Sequence, residues 1–177
     1  MGAEDRTEPP PLKRSFPPVV NAGTRLLLLG SLPGEESLAR RRYYANPRNH
    51  FWRLMSGVIE ADLVPLDYEE RLETLLAAGV GLWDSVATAA RQGSLDGAIR
   101  DHRPNALAEL AASLPRLRAI GFNGGTSAKI GMKALAGTRT AALVPLPSSS
   151  PAYTLPFEKK LEAWLELRSF LAEGAAQ

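Results

Sequence analysis

The chain has 177 residues, 45 % of them hydrophobic and 23 % charged, one domain's worth of globular sequence that can bury a core without cross-links. It contains no cysteine and only two histidines, His50 and His102, which excludes disulfides, thiol catalysis and cysteine-held metal and argues against any metal centre. The net charge is only +2, no apolar run reaches the ~18 residues of a membrane span and no hydrophobic leader is visible, so any attraction to a polyanion must be local and the cytoplasm is the expected location.

Residues 1–20 mix charge with prolines and are expected to form a flexible or extended lead-in, with a single domain over 21–177. Leu26, Leu27, Leu28 and Leu29 lead into Gly30, Ser31, Leu32, Pro33 and Gly34, the pattern of a buried strand that breaks into a turn. Phe51, Trp52, Met55 and Ile59 have helical spacing over 49–60. A second amphipathic helix is expected over 67–79, closed by Gly79, and 80–86 reads as a short strand or loop. Asn105 is the expected N-cap of a helix over 105–115, and a strand over 117–123 then leads through a Gly-Gly loop into a helix over 126–137. Residues 138–153 read as a last strand that runs into a Ser/Pro loop, and Phe157, Leu161, Trp164, Leu165 and Leu171 share one face of a final helix. Strands that alternate with helices predict an α/β domain around a mainly parallel sheet.

Ligands of such sheets lie beyond the carboxyl ends of the strands. Three loops meet that rule, 30–34, 122–125 and 146–151, all built from small, polar or proline residues whose amides can approach a ligand closely. Each alone is also ordinary turn chemistry. Segment 40–55 adds Arg40, Arg41, Arg42, Arg48 and Arg53, the rings of Tyr43, Tyr44, Phe51 and Trp52, the carboxamides of Asn46 and Asn49, and no acid. A solvated basic face is the plain reading of the arginines, but it leaves the interleaved rings unexplained. Enzymes that attack a base in duplex DNA flip it out, stack it on a ring and grip the strand by its phosphates, which needs this mixture. A nucleotide- or phosphate-binding module is an alternative without a Walker or dinucleotide fingerprint, and a non-catalytic DNA-binding module is another.

In order over most of the chain, GSLPGEESL, YYANPRNHFW, GLWDSVATAARQGSLDGAIRD, GFNGG and PLPSSSPAY resemble the uracil-DNA glycosylase superfamily, and within it the hypoxanthine-DNA (deoxyinosine) glycosylase branch. The resemblance implies a three-layer α/β/α sandwich around a short mainly parallel sheet. It also implies monofunctional hydrolysis of the N-glycosidic bond of a deaminated base during base excision repair, with no cofactor; a monomer without a metal is expected. The implied partner is DNA containing such a base, with no membrane. On this resemblance Asn49 and Asn123 are catalytic, Asn49 holding the water and Asn123 meeting the base edge. Tyr44, Gly30, Ser31, Leu32, Pro33, Gly34 and Gly124 bind the base, the Gly124 amide helping at its edge. Arg40, Arg41, Arg42 and Arg48 contact the DNA together with Pro147, Ser148, Ser149 and Ser150.

Two positions depart from the wider superfamily. Leu32 stands where many relatives hold a water-positioning Asn or Asp, and Leu146 stands where several carry His or Asn. These departures favour hypoxanthine, with a uracil or mismatch-specific glycosylase as the alternative. The residues themselves leave other readings open: Asn49 as a helix N-cap, Asn123 as a turn residue and Tyr44 as a ring packed under a loop. Phe51 and Trp52 read as core, His50 as a satisfied or surface histidine, and the three serines as phosphate donors or turn caps. No acid sits in the motif loops, so no carboxylate is expected at the site.

Overall fold

The computed structural model describes residues 8–138 and 141–172; residues 1–7 of the lead-in, 139–140 of the last expected strand and 173–177 lie outside the described residues. The elements run β1 (Leu12–Arg14), β2 (Leu26–Gly30), α1 (Glu35–Arg40), α2 (Phe51–Ile59), α3 (Tyr68–Ala77), β3 (Val80–Asp84), β4 (Val86–Ala90), β5 (Arg100–Pro104), α4 (Leu107–Ser113), β6 (Ala119–Asn123), α5 (Gly125–Ala134), β7 (Ala142–Leu146), α6 (Phe157–Trp164) and α7 (Arg168–Leu171). Short 3₁₀ turns lie at Asp96–Ala98 and Leu165–Leu167.

The main sheet is parallel throughout, in the order β3-β2-β6-β7. Leu26 and Leu28 point into one core layer with α2, α3, α6 and α7, while Leu27 and Leu29 point into the other with α4 and α5. A strand covered on both faces has no polar face to keep, which is why its sequence is an unbroken apolar run rather than an alternating one. The result is the expected three-layer α/β/α arrangement. β7 is an edge strand, and it tolerates Pro145 because only one of its sides must supply ladder donors. The final apolar face is spread over α6, the 3₁₀ turn and α7, with Trp164 and Leu167 fully buried.

Four elements have no counterpart in the sequence reading: β1, α1, β4 and β5. β4 and β5 form a small antiparallel sheet with β1, so residues 12–14 of the lead-in pair with Thr88–Ala90, and Val19 bridges to Leu82. Every residue of β5 is exposed, so it carries no hydrophobic pattern by which to find it. The expected cap of α4 is corrected as well. The carboxamide of Asn105 turns away from the helix and donates to Ser15 Oγ at 3.0 Å, to the Asp84 carbonyl at 2.8 Å and to the Val86 carbonyl at 3.2 Å, tying the β3–β4 junction to the lead-in.

α5 sits close against the sheet because Gly131 has no side chain: a Cβ there would overlap the Phe122 ring and come within 2.9 Å of Ser85 Oγ. Gly131→Ala should therefore destabilise the fold by about 1–3 kcal/mol in denaturant titration. Gly125→Ala, whose added Cβ meets nothing within 4 Å, should change it by less than about 0.5 kcal/mol.

Candidate active site

β3 follows β2 on one side and β6 pairs with it on the other, so the strand order reverses at β2 and a cleft opens at the carboxyl ends. A cavity of about 770 Å³ occupies it. The last residues of three strands reach its wall: Gly30 of β2, Asp84 of β3 and Asn123 of β6. Ser148, Ser149 and Ser150 follow β7, and Tyr44, Arg48 and Asn49 close the side between α1 and α2. Ser31, Leu32, Pro33 and Gly34 complete the wall after β2. Most of the residues predicted for the site thus meet in one place.

Arg40, Arg41, Arg42, Pro147 and Gly124 stand outside this lining. Arg40 pairs with Glu36 at 3.5 Å, Arg42 lies 5.3 Å from the Tyr68 ring centre, and Arg41 ends α1 in the left-handed conformation. All three remain exposed. His50 is also outside, its ring edge-on to Phe157, and burial together with Lys160 and Arg53 lowers its pKa, so it is neutral at pH 7.

Tyr44 is held from several directions. Its ring lies face to face with Phe51, with centres 3.8 Å apart and planes 13° from parallel, and Trp52 Nε1 donates to its carbonyl at 3.1 Å. Its φ of 53° is left-handed, a conformation that costs a non-glycine residue roughly 1–2 kcal/mol. These contacts offset that cost and fix the phenol beside Gly30, where an added Cβ would come within 3.1 Å of Tyr44 Oη.

Asn123 is buried and already engaged. Its Oδ1 accepts from the Ser149 amide at 2.8 Å, and its Nδ2 donates to Ser149 Oγ at 2.9 Å and to Tyr44 Oη at 3.3 Å. It clips the Ser/Pro loop to β6 and to the Tyr44 ring, which leaves one Oδ1 lone pair for anything else. The amide of Gly124, expected at a base edge, donates instead to the Leu146 carbonyl at 3.0 Å, because the φ of 96° at this glycine turns the chain toward β7. Ser149 is fully enclosed, so its hydroxyl belongs to this clip and not to an open phosphate-binding face. Behind the loop, Trp164 Nε1 donates to the Pro147 carbonyl at 2.9 Å and Lys160 Nζ to the Ser150 carbonyl at 3.1 Å.

Asn49 is half-buried. Its Oδ1 accepts from the Phe51 amide at 2.9 Å, so it does satisfy a donor of the first turn of α2. The second Oδ1 lone pair and the Nδ2 hydrogens have no partner among the described hydrogen bonds, and the residue lines the cavity. Capping and water-holding are therefore compatible in one side chain.

The absence of a carboxylate expected from the motif loops is corrected by Asp84 and Asp96, both on the cavity wall. Asp84 ends β3, level with Gly30 in the ladder, and is 3 % exposed. An added Cβ on Gly30 would meet its Oδ1 at 2.5 Å, and its Oδ2 is buried with no hydrogen-bond partner. Burial first, and the Asp96 carboxyl second, push Asp84 up to about 7 against the pull of Arg91. Asp96 accepts from Ser31 Oγ at 2.6 Å, and burial raises its pKa too. Arg91, fully buried, donates to the carbonyls of Leu32, Pro33 and Gly93 and so braces the 30–34 loop from behind. One signal pointed to Asp84: a lone acid closing an apolar strand, at the end where such sheets place their sites. Asp96 and Arg91 lie within the 81–101 motif that carries the family resemblance, but no apolar periodicity singles them out in it. Among the described residues there is no cluster of three or more potential ligands for a metal ion, and no helix is long and apolar enough to cross a membrane.

With this geometry in hand, comparison with known proteins is specific. The family model described as the uracil DNA glycosylase superfamily matches residues 17–170. A Methanosarcina acetivorans protein named hypoxanthine DNA glycosylase is 43 % identical over 113 residues, 64 % of this chain and 72 % of the relative. One of the same name from Methanosarcina barkeri is 36 % identical over 156 residues, 87 % of this chain and 96 % of the relative. A solution NMR structure of a Methanosarcina acetivorans target, offered as a uracil DNA glycosylase candidate, superposes with a TM-score of 0.80 at 36 % identity, covering 90 % of this chain and 99 % of its own.

The buried acid has a consequence for stability. Between the ordinary value of 3.8 and the folded value of about 7, the folded chain holds a proton that the unfolded chain releases, so stability falls as pH rises through that window. At about 1.4 kcal/mol per pH unit, Asp84→Asn should raise the unfolding free energy by up to about 4 kcal/mol at about pH 8, and the gain should fade toward about pH 4. Chemical denaturation of both proteins across that range measures it.

Proposed function

The chain belongs to the uracil DNA glycosylase superfamily, and we propose that it is a monofunctional glycosylase that hydrolyses the N-glycosidic bond of deoxyinosine in DNA and releases hypoxanthine for base excision repair. The observation that carries this reading is the convergence of a ring, two carboxamides and a buried acid on one cavity, in a chain 36 % and 43 % identical to proteins named for that activity. It acts in the cytoplasm as a monomer and without a metal.

A base flipped from the duplex enters head first, so its outer edge meets the floor of the cavity while the sugar stays at the mouth. The C1′–N9 bond breaks with its electron pair leaving on the purine, a water adds its oxygen to the oxocarbenium-like C1′, and the proton that this water sheds ends on the purine anion, so that neutral hypoxanthine is released. Asn49, half-buried near the mouth, holds that water through its second Oδ1 lone pair, while its first keeps the Phe51 amide in place. The face of Tyr44 turned away from Phe51 receives the base, and Asn123 keeps that ring and the Ser/Pro loop in register. Arg48, exposed on the rim, takes a phosphate, as do Arg40, Arg41 and Arg42 further out, and the 147–150 loop lies against the strand. Leu32 and Leu146, both buried, offer nothing to a uracil anion or its attacking water.

Single-turnover assays on duplexes carrying deoxyinosine or deoxyuridine should show deoxyinosine cleaved faster by on the order of 10² or more, the scale of a lost transition-state contact. A uracil rate equal to it would reverse the substrate assignment. Asn49→Ser keeps an acceptor for the Phe51 amide, so it should retain stability within about 0.5 kcal/mol while losing on the order of 10² in rate. For DNA grip, Arg48→Ala should weaken binding to all sequences and lower the log–log salt slope by about 0.9, one phosphate contact.

A further inference from the structure

The small antiparallel sheet has two faces, and the rest of the molecule uses only the inner one. Val86 and Ala89 of β4 and Ile99 pack inward with Leu32 and Ile130, and Lys13 Nζ turns the same way to reach the Gly93 carbonyl at 3.0 Å. Directly paired residues of antiparallel strands project to one face. Arg14, Thr88 and Arg103 therefore form one row across the outer face, and Leu12, Ala90 and Arg100 form the next, about 7 Å away at two residues along the strand. The three arginines are exposed and stand on the two edge strands, while the central strand offers only the half-buried Thr88 and Ala90 between them. The face is thus a shallow trough with a small, uncharged floor and a cationic rim.

Guarding the sheet edges against pairing with another chain is the plain role for such charges. It leaves two things unexplained. Leu12, on an edge strand of the same face, is 63 % exposed, and the central strand is rich in alanine, a residue depleted in strands. A β-branched side chain at position 90 would pack better against its cross-strand neighbours, but it would fill the trough. Neither Arg14 nor Arg103 pairs with an acid among the described residues, and the only acid of the three strands, Asp101, lies between Arg100 and Arg103 where the ladder shifts register. The trough also begins at the cavity: Ser94, Leu95, Asp96 and Gly97 of the β4–β5 connection line it, and Arg100 Nη1 donates to the Gly97 carbonyl at 2.7 Å, which leaves its Nε and Nη2 free for another acceptor. We propose that this outer face is a second DNA surface, which takes the phosphate backbone of the duplex beyond the flipped nucleotide between Arg14 on one edge and Arg100 and Arg103 on the other. It rests on the glycosylase reading and adds to the grip of Arg40, Arg41, Arg42 and Arg48 a contact from a separate part of the fold. All three outward cations are arginines, whose planar forks suit phosphate oxygens, whereas the one lysine of these strands points inward.

Anisotropy titrations of the full chain with an undamaged duplex, repeated over a range of salt, test this. Arg14→Ala and Arg103→Ala should each lower the log–log salt slope by about 0.9, and the double variant by about 1.8, one counterion step per phosphate. Arg103→Lys should keep the slope, because the charge remains, and Thr88→Glu should weaken binding with every arginine still in place. Arg116→Ala removes an equally exposed cation just before β6, at the other end of the main sheet, and should leave the slope unchanged. Since Arg14 and Arg103 hold no ion pair, their removal should not move the melting temperature, which separates a lost contact from a lost fold. A folded double variant with the wild-type slope, or an equal drop in Arg116→Ala, overturns the proposal and returns this face to solvent. A lowered slope in a chain that releases no hypoxanthine from deoxyinosine duplexes would keep the surface and sink the glycosylase reading; hypoxanthine release with an unmoved slope would do the reverse.

Discussion

Leu26, Leu27, Leu28 and Leu29 are completely buried, two on each side of the sheet, and the rest of the molecule is arranged around that constraint. A central parallel strand with both faces covered cannot carry a polar group along its length, so chemistry can appear only where the strand ends. The ladder then decides what meets there. Parallel pairing puts Gly30 level with Asp84 on one side, and the next strand over ends with Asn123 level with Leu146. Gly30 is the hinge of this juxtaposition: with any side chain there, the Asp84 carboxyl and the Tyr44 phenol would have to give way.

The loops that follow the strands are braced by buried cations and an indole placed behind them. Arg91 holds the carbonyls of Leu32 and Pro33, while Lys160 and Trp164 hold those of Ser150 and Pro147. Carbonyls turned back toward these donors leave the opposite side of each loop to the cavity. Burying Arg91 and Lys160 costs desolvation, which makes sense only if the groups they hold must not move. On this view the small antiparallel sheet is part of the same bracing. β4 delivers Arg91, while Lys13 of β1 reaches Gly93 and Glu35, joining the lead-in to the start of α1.

Much of this was legible in the sequence. Strands β2, β6 and β7 and the helices α2 to α6 announce themselves by apolar runs, helical spacing and flanking glycines, because burial writes those patterns, whereas 80–86 reads equally as a short strand or a loop. The exposed β5 and the short α1 have little burial to write, and neither has a pattern. Asn105 shows the same limit from the other side: its position before a helix suggested a cap, but three oxygens reachable only after the chain has folded outcompete the helix end. The site was half legible. Asn49, Tyr44 and the serine loop reach the cavity as expected, whereas the Gly124 amide is consumed by β7 and the acids come from a stretch that carried the resemblance but was given no site role.

The segment from Arg40 to Met55 shows how one stretch can serve both core and site. Tyr43, Phe51, Trp52 and Met55 go inward to the core, the arginines stay in solvent, and Tyr44 stands between the two groups. Helical periodicity cannot separate these roles, because 41–50 is not helical and each side chain's direction is set by a turn. The left-handed residues Arg41 and Tyr44 bend the chain within four residues, so that the arginines stay in solvent while Tyr43 goes into the core. A ring needed for stacking must be flat, immobile and open on one face. Phe51 supplies the flat backing, Trp52 and Asn123 fix the backbone and the hydroxyl, and the cavity supplies the open side. The strain at Tyr44 is thus stored at the junction between the exposed arginine stretch and the cavity.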